Sequence, residues 1–164
     1  MNNDVNKKNL NKKIDQKLLY DKIMKYCGYQ ERSEHDVLEK LKKFRVGIRE
    51  TGDIIGRLKE EKFIDDRRFA CIYASGKLRN NKWGRIKIRY ELKRKNINSH
   101  HIEEALNSIG EEEYSRAILD LIDKKKETLK DKDKFILRNK IAHYLLVKGF
   151  ENDLVWEKIN ERIP

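Results

Sequence analysis

The stretch 83–109, WGRIKIRYELKRKNINSHHIEEALNSI, decides the fold. A break at Asn96 separates two runs of helical spacing, and their apolar positions are Ile88, Leu92, Ile97, Ile102 and Leu106. All five recur as apolar residues at a constant shift of 53, at Ile141, Leu145, Phe150, Val155 and Ile159. Five matches at one shift indicate an internal repeat made of helices.

Helix signals extend along the rest of the chain. The only proline is Pro164, the last of 164 residues, whereas average usage would give roughly eight. Ser33 followed by Asp36 forms a pair of the capping-box type at a helix start. Asn96 is suited to the left-handed position after a helix, because its short side chain tolerates that conformation. The sequence therefore predicts an all-α fold.

We predict three tandem three-helix repeats, at residues 14–64, 65–110 and 111–164, that form an elongated, curved array. We align Gly47 with Asn96 and Gly149 as equivalent positions of the three repeats. In this alignment, the apolar face of the second helix in the first repeat is displaced by about two residues relative to the other two repeats. Residues 1–13 are rich in Asn and Lys and show no apolar periodicity. We expect them to form a flexible tail.

Local patterns give further expectations for the second repeat. Asp65 or Asp66 is expected to cap its first helix. The inner face of that helix is expected to contain Phe69, Ile72 and Tyr73, and Ser99 is the expected cap of the third helix.

Positive charge is concentrated in the middle of the chain. The chain has 39 Lys plus Arg against 28 Asp plus Glu, a formal net charge of +11. Residues 77–95 contain nine basic residues and one acid, Glu91, for a net charge of +8. Such a concentration is typical of a surface that binds a polyanion.

Arg85, Arg89 and Lys93 follow one another at i, i+4 and i+8, a spacing at which like charges destabilise a helix. We therefore expect compensation from outside the fold, by nucleic-acid phosphates, with aromatic surface from Trp83 and Tyr90 beside them. The candidate nucleic-acid-binding residues are Lys77, Arg79, Lys82, Trp83, Arg85, Lys87, Arg89, Lys93 and Arg94. The alternative is a solvated basic face, and we expect Trp83 itself to pack in the core.

Other function classes find little support. The longest apolar run, Phe69 to Ala74, has six residues, far below the ~20 of a membrane span, so we expect a soluble, cytoplasmic protein. Cys27 and Cys71 stand alone, which favours reduced thiols. The Asp65–Asp66 pair has no third ligand for a metal, and the run Lys124 to Lys126 is interpreted as a solvated helix end. We expect no catalytic residues, metal or cofactor.

Four pieces of the chain resemble the RecX family of regulatory proteins. They are FIDDRRFA at 63–70, similar to the family's LDDxRFA signature, Arg32–Ser33, WGRIKI at 83–88 with the later Glu91–Leu92 and Asn96–Ile97, and KGF at 148–150. In the first piece, Asp65, Asp66, Arg68 and Phe69 are expected to act as helix cap and core. Asn96 replaces the glycine of the family's middle KGI.

The resemblance implies a three-repeat helical protein that lodges in the groove of the RecA recombinase filament on DNA. It implies a non-enzymatic regulator, mostly an inhibitor, of ATP hydrolysis and strand exchange, whose partners are RecA and single- or double-stranded DNA. We expect a monomer. Two alternatives remain open: a stand-alone, sequence-independent DNA-binding protein, and a nuclease, which the sparse acids of the middle repeat disfavour.

Overall fold

The computed structural model describes the backbone of residues 2–129 and 133–164 and the side chains of residues 15–129 and 133–164. Over these residues the chain is helical, without a strand, as predicted. The helices are α1 Asn2–Tyr29, α2 Glu34–Lys43, α3 Ile48–Glu60, α4 Asp66–Asn81, α5 Arg85–Arg94, α6 Ser99–Asn107, α7 Glu111–Leu129, α8 Lys134–Val147 and α9 Asn152–Arg162. None of the described helices is long and apolar enough to span a membrane.

The chain divides into two compact units, Met1–Phe69 and Ala70–Pro164. In the first unit, α1, α2 and α3 pack around a core of Tyr20, Ile23, Cys27, Val37, Leu41, Ile54, Ile55, Leu58 and Ile64. The predicted capping box is present, because the Asp36 N–H donates to Ser33 Oγ at 3.1 Å and the Ser33 N–H donates to Asp36 Oδ2 at 3.2 Å. The predicted tail, residues 1–13, lies outside the described side chains, so its flexibility stays a prediction.

The second unit contains most of α4 and the helices α5 to α9. Its buried side chains include all five repeated pairs of the sequence pattern. On α4, however, the inner face differs from the expected one: Ile72 is 53 % exposed, while Ala70, Ala74 and Leu78 are buried with Phe69. Residues four apart on a helix share one face, and here two of them are alanines, which a search for large apolar residues overlooks.

Each three-helix group has a residue with positive φ after its second helix. These residues are Arg45 at 55°, Asn96 at 57° and Gly149 at 86°. The left-handed conformation predicted for Asn96 is confirmed. Gly47 instead begins α3 as its N-cap, so the pairing of Gly47 with Asn96 and Gly149 is wrong.

With Arg45 as the marker, the first repeat aligns with the second at a shift of 51 residues. This shift places Val37 on Ile88 and Leu41 on Leu92, and all four are fully buried. The apparent displacement of two residues therefore disappears. The cap of α6 also differs from the expectation by one residue, because Asn98 Oδ1 accepts from the His101 N–H at 2.9 Å and Ser99 is already helical.

Within the second unit, the start of α5 meets the end of α8 backbone to backbone. The Gly84 N–H donates to Lys148 O at 2.9 Å, and the Ile86 N–H donates to Gly149 O at 3.0 Å. A Cβ on Gly84 would lie 2.1 Å from Gly149 O, and one on Gly149 would lie 2.4 Å from Lys87 Cβ. The first N–H groups of a helix and its last carbonyls have no partner within the helix. Here the N–H groups at the start of α5 donate to carbonyls at the end of α8, so the contact joins the second and third repeats. We call it the glycine junction.

Candidate nucleic-acid interface

The most basic segment, residues 77–95, forms the end of α4, a short turn and the whole of α5. Lys82 has a φ of 54°, which ends α4. The Trp83 N–H then donates to Lys77 O at 3.2 Å, and Gly84 is the N-cap of α5. The turn is therefore so short that the indole of Trp83 lies next to lysines of both helices.

Lysines and aromatic rings of α4, the turn and α5 form one connected group, the lysine–aromatic surface, defined as Tyr73, Lys77, Trp83, Lys87 and Lys95. Lys77 Nζ lies 5.1 Å from the ring centroid of Tyr73 and 4.8 Å from that of Trp83. Lys87 Nζ is 4.6 Å from the Trp83 centroid, and Lys95 Nζ is 5.9 Å from that of Tyr73. Each contact is worth about 0.5–1 kcal/mol at an exposed site, so the rings orient the ammonium groups without neutralising them.

Positive charge is available on two lysines of this surface, Lys77 and Lys87, and on two lysines close to it in sequence. In the part of the chain that the structure describes, Lys77, Lys82, Lys87 and Lys93 have no carboxylate within 4.0 Å. Trp83 is partly buried, so the expectation that it packs in the core stays a prediction, while part of its indole remains accessible. Lysines around an accessible indole can contact phosphates while the ring stacks on a base.

Arg85 has a different environment, at the glycine junction. Its side chain is only 18 % exposed, its Nη2 lies 2.6 Å from Glu111 Oε1, and its guanidinium lies 4.1 Å from the ring centroid of Tyr114. The Arg85 backbone N–H donates to the buried Tyr114 hydroxyl at 2.9 Å, and that hydroxyl donates to Glu151 at 2.6 Å. Arg85 thus stabilises the contact between repeats and is poorly placed to meet a phosphate.

The other three arginines of the candidate set are exposed but paired. Arg79 contacts Glu113 at 2.7 Å, Arg89 contacts Glu103 at 2.8 Å, and Arg94 contacts Glu91 at 3.3 Å; the arginine side chains are respectively 63 %, 38 % and 64 % exposed. The expectation that the basic strip lacks compensation inside the fold is therefore wrong for its arginines. Exposed pairs of this kind contribute about 0–1 kcal/mol, so a phosphate can compete for these guanidinium groups.

Ionisation at the site follows these contacts. The hydrogen bond from Arg89 lowers the pKa of Glu103, and the one from Arg79 lowers the pKa of Glu113. Both carboxylates therefore remain charged at neutral pH and offset their arginines. Burial, followed by the hydrogen bond to Glu151, raises the pKa of the Tyr114 phenol, which stays protonated and keeps donating to that carboxylate.

Tyr73 was not among the candidate residues from the sequence, yet it connects Lys77 with Lys95. Its signal is the i, i+4 spacing of Tyr73 and Lys77 on α4, which places them on one helix face. Tyr90, by contrast, is 62 % exposed on α5 and has no described ring contact with these lysines.

The residues of the family-like piece 63–70 lie at or near the start of α4, and their side chains contact residues of the first unit. Asp65 Oδ1 caps the helix by accepting the Arg68 N–H at 2.9 Å. Asp66 Oδ1 accepts the Glu34 N–H at 2.9 Å, which ties α4 to the start of α2. Arg68 Nη2 contacts Glu31 at 2.7 Å, and Phe69 is buried. These contacts give the Asp–Asp pair a structural role, and no group of three potential metal ligands occurs among the described residues.

Comparison with known proteins places this arrangement in a family. Two family models match, the second three-helix domain of RecX over residues 65–106 and the third three-helix domain over residues 111–159. The "Regulatory protein RecX" of Oceanobacillus iheyensis is 31% identical over 137 residues, which cover 83% of this chain and 50% of that protein. That of Clostridium tetani is 32% identical over 138 residues, which cover 83% of this chain and 61% of that protein.

The fold is similar to solved structures of the same group. The crystal structure of RecX from Lactobacillus salivarius matches with a TM-score of 0.80 at 25% sequence identity, covering 90% of this chain and 96% of that one. The chain spans only part of the length of these two curated relatives, 50% of the Oceanobacillus iheyensis protein and 61% of the Clostridium tetani protein. On the two matched domains and the shared fold, the chain belongs to the RecX family.

Proposed function

We propose that this chain regulates recombination by binding the RecA recombinase filament on DNA, mostly as an inhibitor of ATP hydrolysis and strand exchange. The lysine–aromatic surface is the proposed DNA contact. The observation that carries the proposal is the set of lysines without carboxylate partners beside the partly exposed indole of Trp83. Support also comes from the curated relatives, which are named regulatory proteins.

Binding in this proposal is driven by phosphate contacts. Lys77 and Lys87 contact the indole from α4 and α5 respectively, so both can meet successive phosphates of a strand whose base stacks on Trp83. Release of condensed counterions makes such binding strongly dependent on salt. The exposed Arg79, Arg89 and Arg94 add to it by exchanging their carboxylates for phosphate oxygens.

Regulation then follows from where the chain binds and needs no catalytic step or cofactor of its own. A protein held on DNA inside the filament contacts neighbouring RecA subunits and favours one filament conformation over another. The size of the effect is limited by its difference in affinity for the two conformations. This action places the chain with the chromosome in the cytoplasm.

A stand-alone, sequence-independent DNA-binding protein is the second candidate. It is favoured by the basic, solvent-facing side of α5, where Lys93 and Arg94 are exposed. This candidate requires the same DNA affinity with and without RecA, and no effect on the recombinase at low protein ratios.

A RecA ATPase titration on single-stranded DNA separates the two. The wild-type chain should lower ATP hydrolysis at substoichiometric ratios, and Lys77→Glu with Lys87→Glu should lose this effect. Lys22→Glu with Lys25→Glu is the matched control, because both are exposed lysines of α1 and the change in net charge is the same. Unchanged ATPase with the wild-type chain, or equal inhibition by both double variants, would contradict the proposal.

A further inference from the structure

A groove between α7 and α8 shares no residue with the lysine–aromatic surface. It has a volume of about 520 Å³, with Leu129, Tyr144 and Val147 among its apolar lining and Lys125 and Lys140 at its edges. A smaller cavity of about 220 Å³ continues it along α7, past Leu121 and Lys124, and shares Lys125 and Tyr144. We call the two together the α7–α8 groove.

The described residues that line this groove include basic side chains, three of them lysines, and no acidic ones. Lys125 Nζ lies 4.9 Å from the ring centroid of Tyr144, and Lys148 Nζ lies 5.3 Å from the same centroid. Asp123, the acid before the lysine run, is held by Arg162 at 2.8 Å. Lys124 and Lys126 are exposed near the end of α7, as expected for a solvated helix end, while Lys125 also contacts the ring of Tyr144.

Apolar side chains near the end of α8 are exposed, and one of them, Val147, lines the groove. Val147 is 61 % exposed and Leu146 is 39 % exposed. At the shift of 53 residues, their equivalents on α5 are Arg94 and Lys93. Equivalent helix positions are therefore charged in the second repeat and apolar in the third. Exposed apolar surface with a polar edge is typical of a protein-binding site.

We infer that the α7–α8 groove docks an acidic amphipathic helix of a partner protein. Apolar side chains at i, i+4 and i+7 of that helix enter the groove beside Val147 and Tyr144. Its carboxylates contact Lys124 and Lys125. An acidic amphipathic helix matches both features of the groove, because Leu121, Leu129 and Val147 of its lining can pack against apolar side chains and its lysines can pair with carboxylates.

The test uses the full chain and a synthetic peptide of about 15 residues, long enough to form a helix on binding, with leucines at i, i+4 and i+7 and glutamates between them. Heteronuclear NMR should show its binding in the amide signals of α7 and α8. Val147→Asp, and separately Lys124→Glu with Lys125→Glu, should each weaken binding about tenfold, as loss of one buried anchor or two charges implies. Ile48→Asp is the matched control, because Ile48 is 96 % exposed in the first unit.

Each other outcome overturns the inference. If a peptide whose leucines are replaced by alanine binds equally well, the chain attracts polyanions without using the apolar lining. If a peptide whose glutamates are replaced by lysine binds equally well, the lysines of the groove do not contribute to binding. If single-stranded DNA shifts the same amides and Val147→Asp weakens that binding, the groove is a nucleic-acid site. If Val147→Asp instead abolishes self-association in sedimentation, it is an interface between copies.

Discussion

Replacement of Gly84 by alanine tests how the second and third repeats are joined. A Cβ at this position would lie 2.1 Å from Gly149 O, 2.2 Å from Gly149 C and 2.3 Å from Phe150 N. All three are backbone atoms, so no flexible side chain can move aside. The start of α5 must therefore shift away from the end of α8.

The cost of Gly84→Ala follows from that shift. Overpacking at a tight contact costs about 1–3 kcal/mol. The shift also strains the hydrogen bonds from the Gly84 and Ile86 N–H groups to the end of α8, each worth about 1 kcal/mol net. Together these terms predict a loss of roughly 3–5 kcal/mol in the free energy of unfolding, a large part of the ~5–15 kcal/mol of an ordinary domain.

Urea unfolding followed by helical circular dichroism measures this loss. The matched control is Gly76→Ala, because Gly76 lies inside α4 and a Cβ there meets nothing within 4 Å. Alanine should stabilise that helix by about 0.5–1 kcal/mol. A loss below about 1 kcal/mol for Gly84→Ala, with an unchanged denaturant slope, would refute the junction as described.

Three further predictions concern the same fold. Tyr114→Phe should lower the free energy of unfolding by about 1–3 kcal/mol in urea titrations, because the Arg85 N–H loses its acceptor in a buried place; no loss would contradict the network. Arg45→Gly should raise it by about 0.5 kcal/mol, since glycine adopts positive φ without steric cost, and a loss would contradict the repeat alignment. Arg162 lowers the pKa of Asp123 below its ordinary 3.8, so stability should fall as pH drops below that value, and Asp123→Asn should flatten acid unfolding curves there.

The helices and the second and third repeats follow from the sequence because their buried residues are large and evenly spaced. Ile88 and Leu92 are fully buried, as are Ile141 and Leu145, and the same periodicity that identifies them predicts the helices. Asn96 is also recognisable, since its left-handed conformation is common for that residue type.

The register of the first repeat could not be obtained in the same way. Its marker is Arg45, an exposed residue whose type carries no preference for positive φ, while Gly47, which does carry one, serves as an N-cap. The inner face of α4 was missed for a related reason, because Ala70 and Ala74 allow close packing but contribute little to an apolar pattern.

The charge pattern of the sequence identifies the candidate interface, but it does not show which of the basic residues are paired with carboxylates. Arg85 lies 26 residues before Glu111, and Arg89 lies 14 before Glu103, so their pairing depends on how the helices pack. The sequence shows that a segment is basic, whereas only the tertiary structure shows which charges remain available. The lysines around Trp83 emerge as the centre of the proposed site for that reason.

The salt dependence of affinity for a single-stranded oligonucleotide tests the proposed phosphate contacts most directly. Lys77→Gln with Lys87→Gln should weaken binding and reduce the slope of log K against log salt by about 0.7 for each lysine, while Lys22→Gln with Lys25→Gln leaves it unchanged. An unchanged slope for the first pair in a chain with wild-type helicity, or an equal reduction for both pairs, would contradict the assignment of DNA contact to the lysine–aromatic surface.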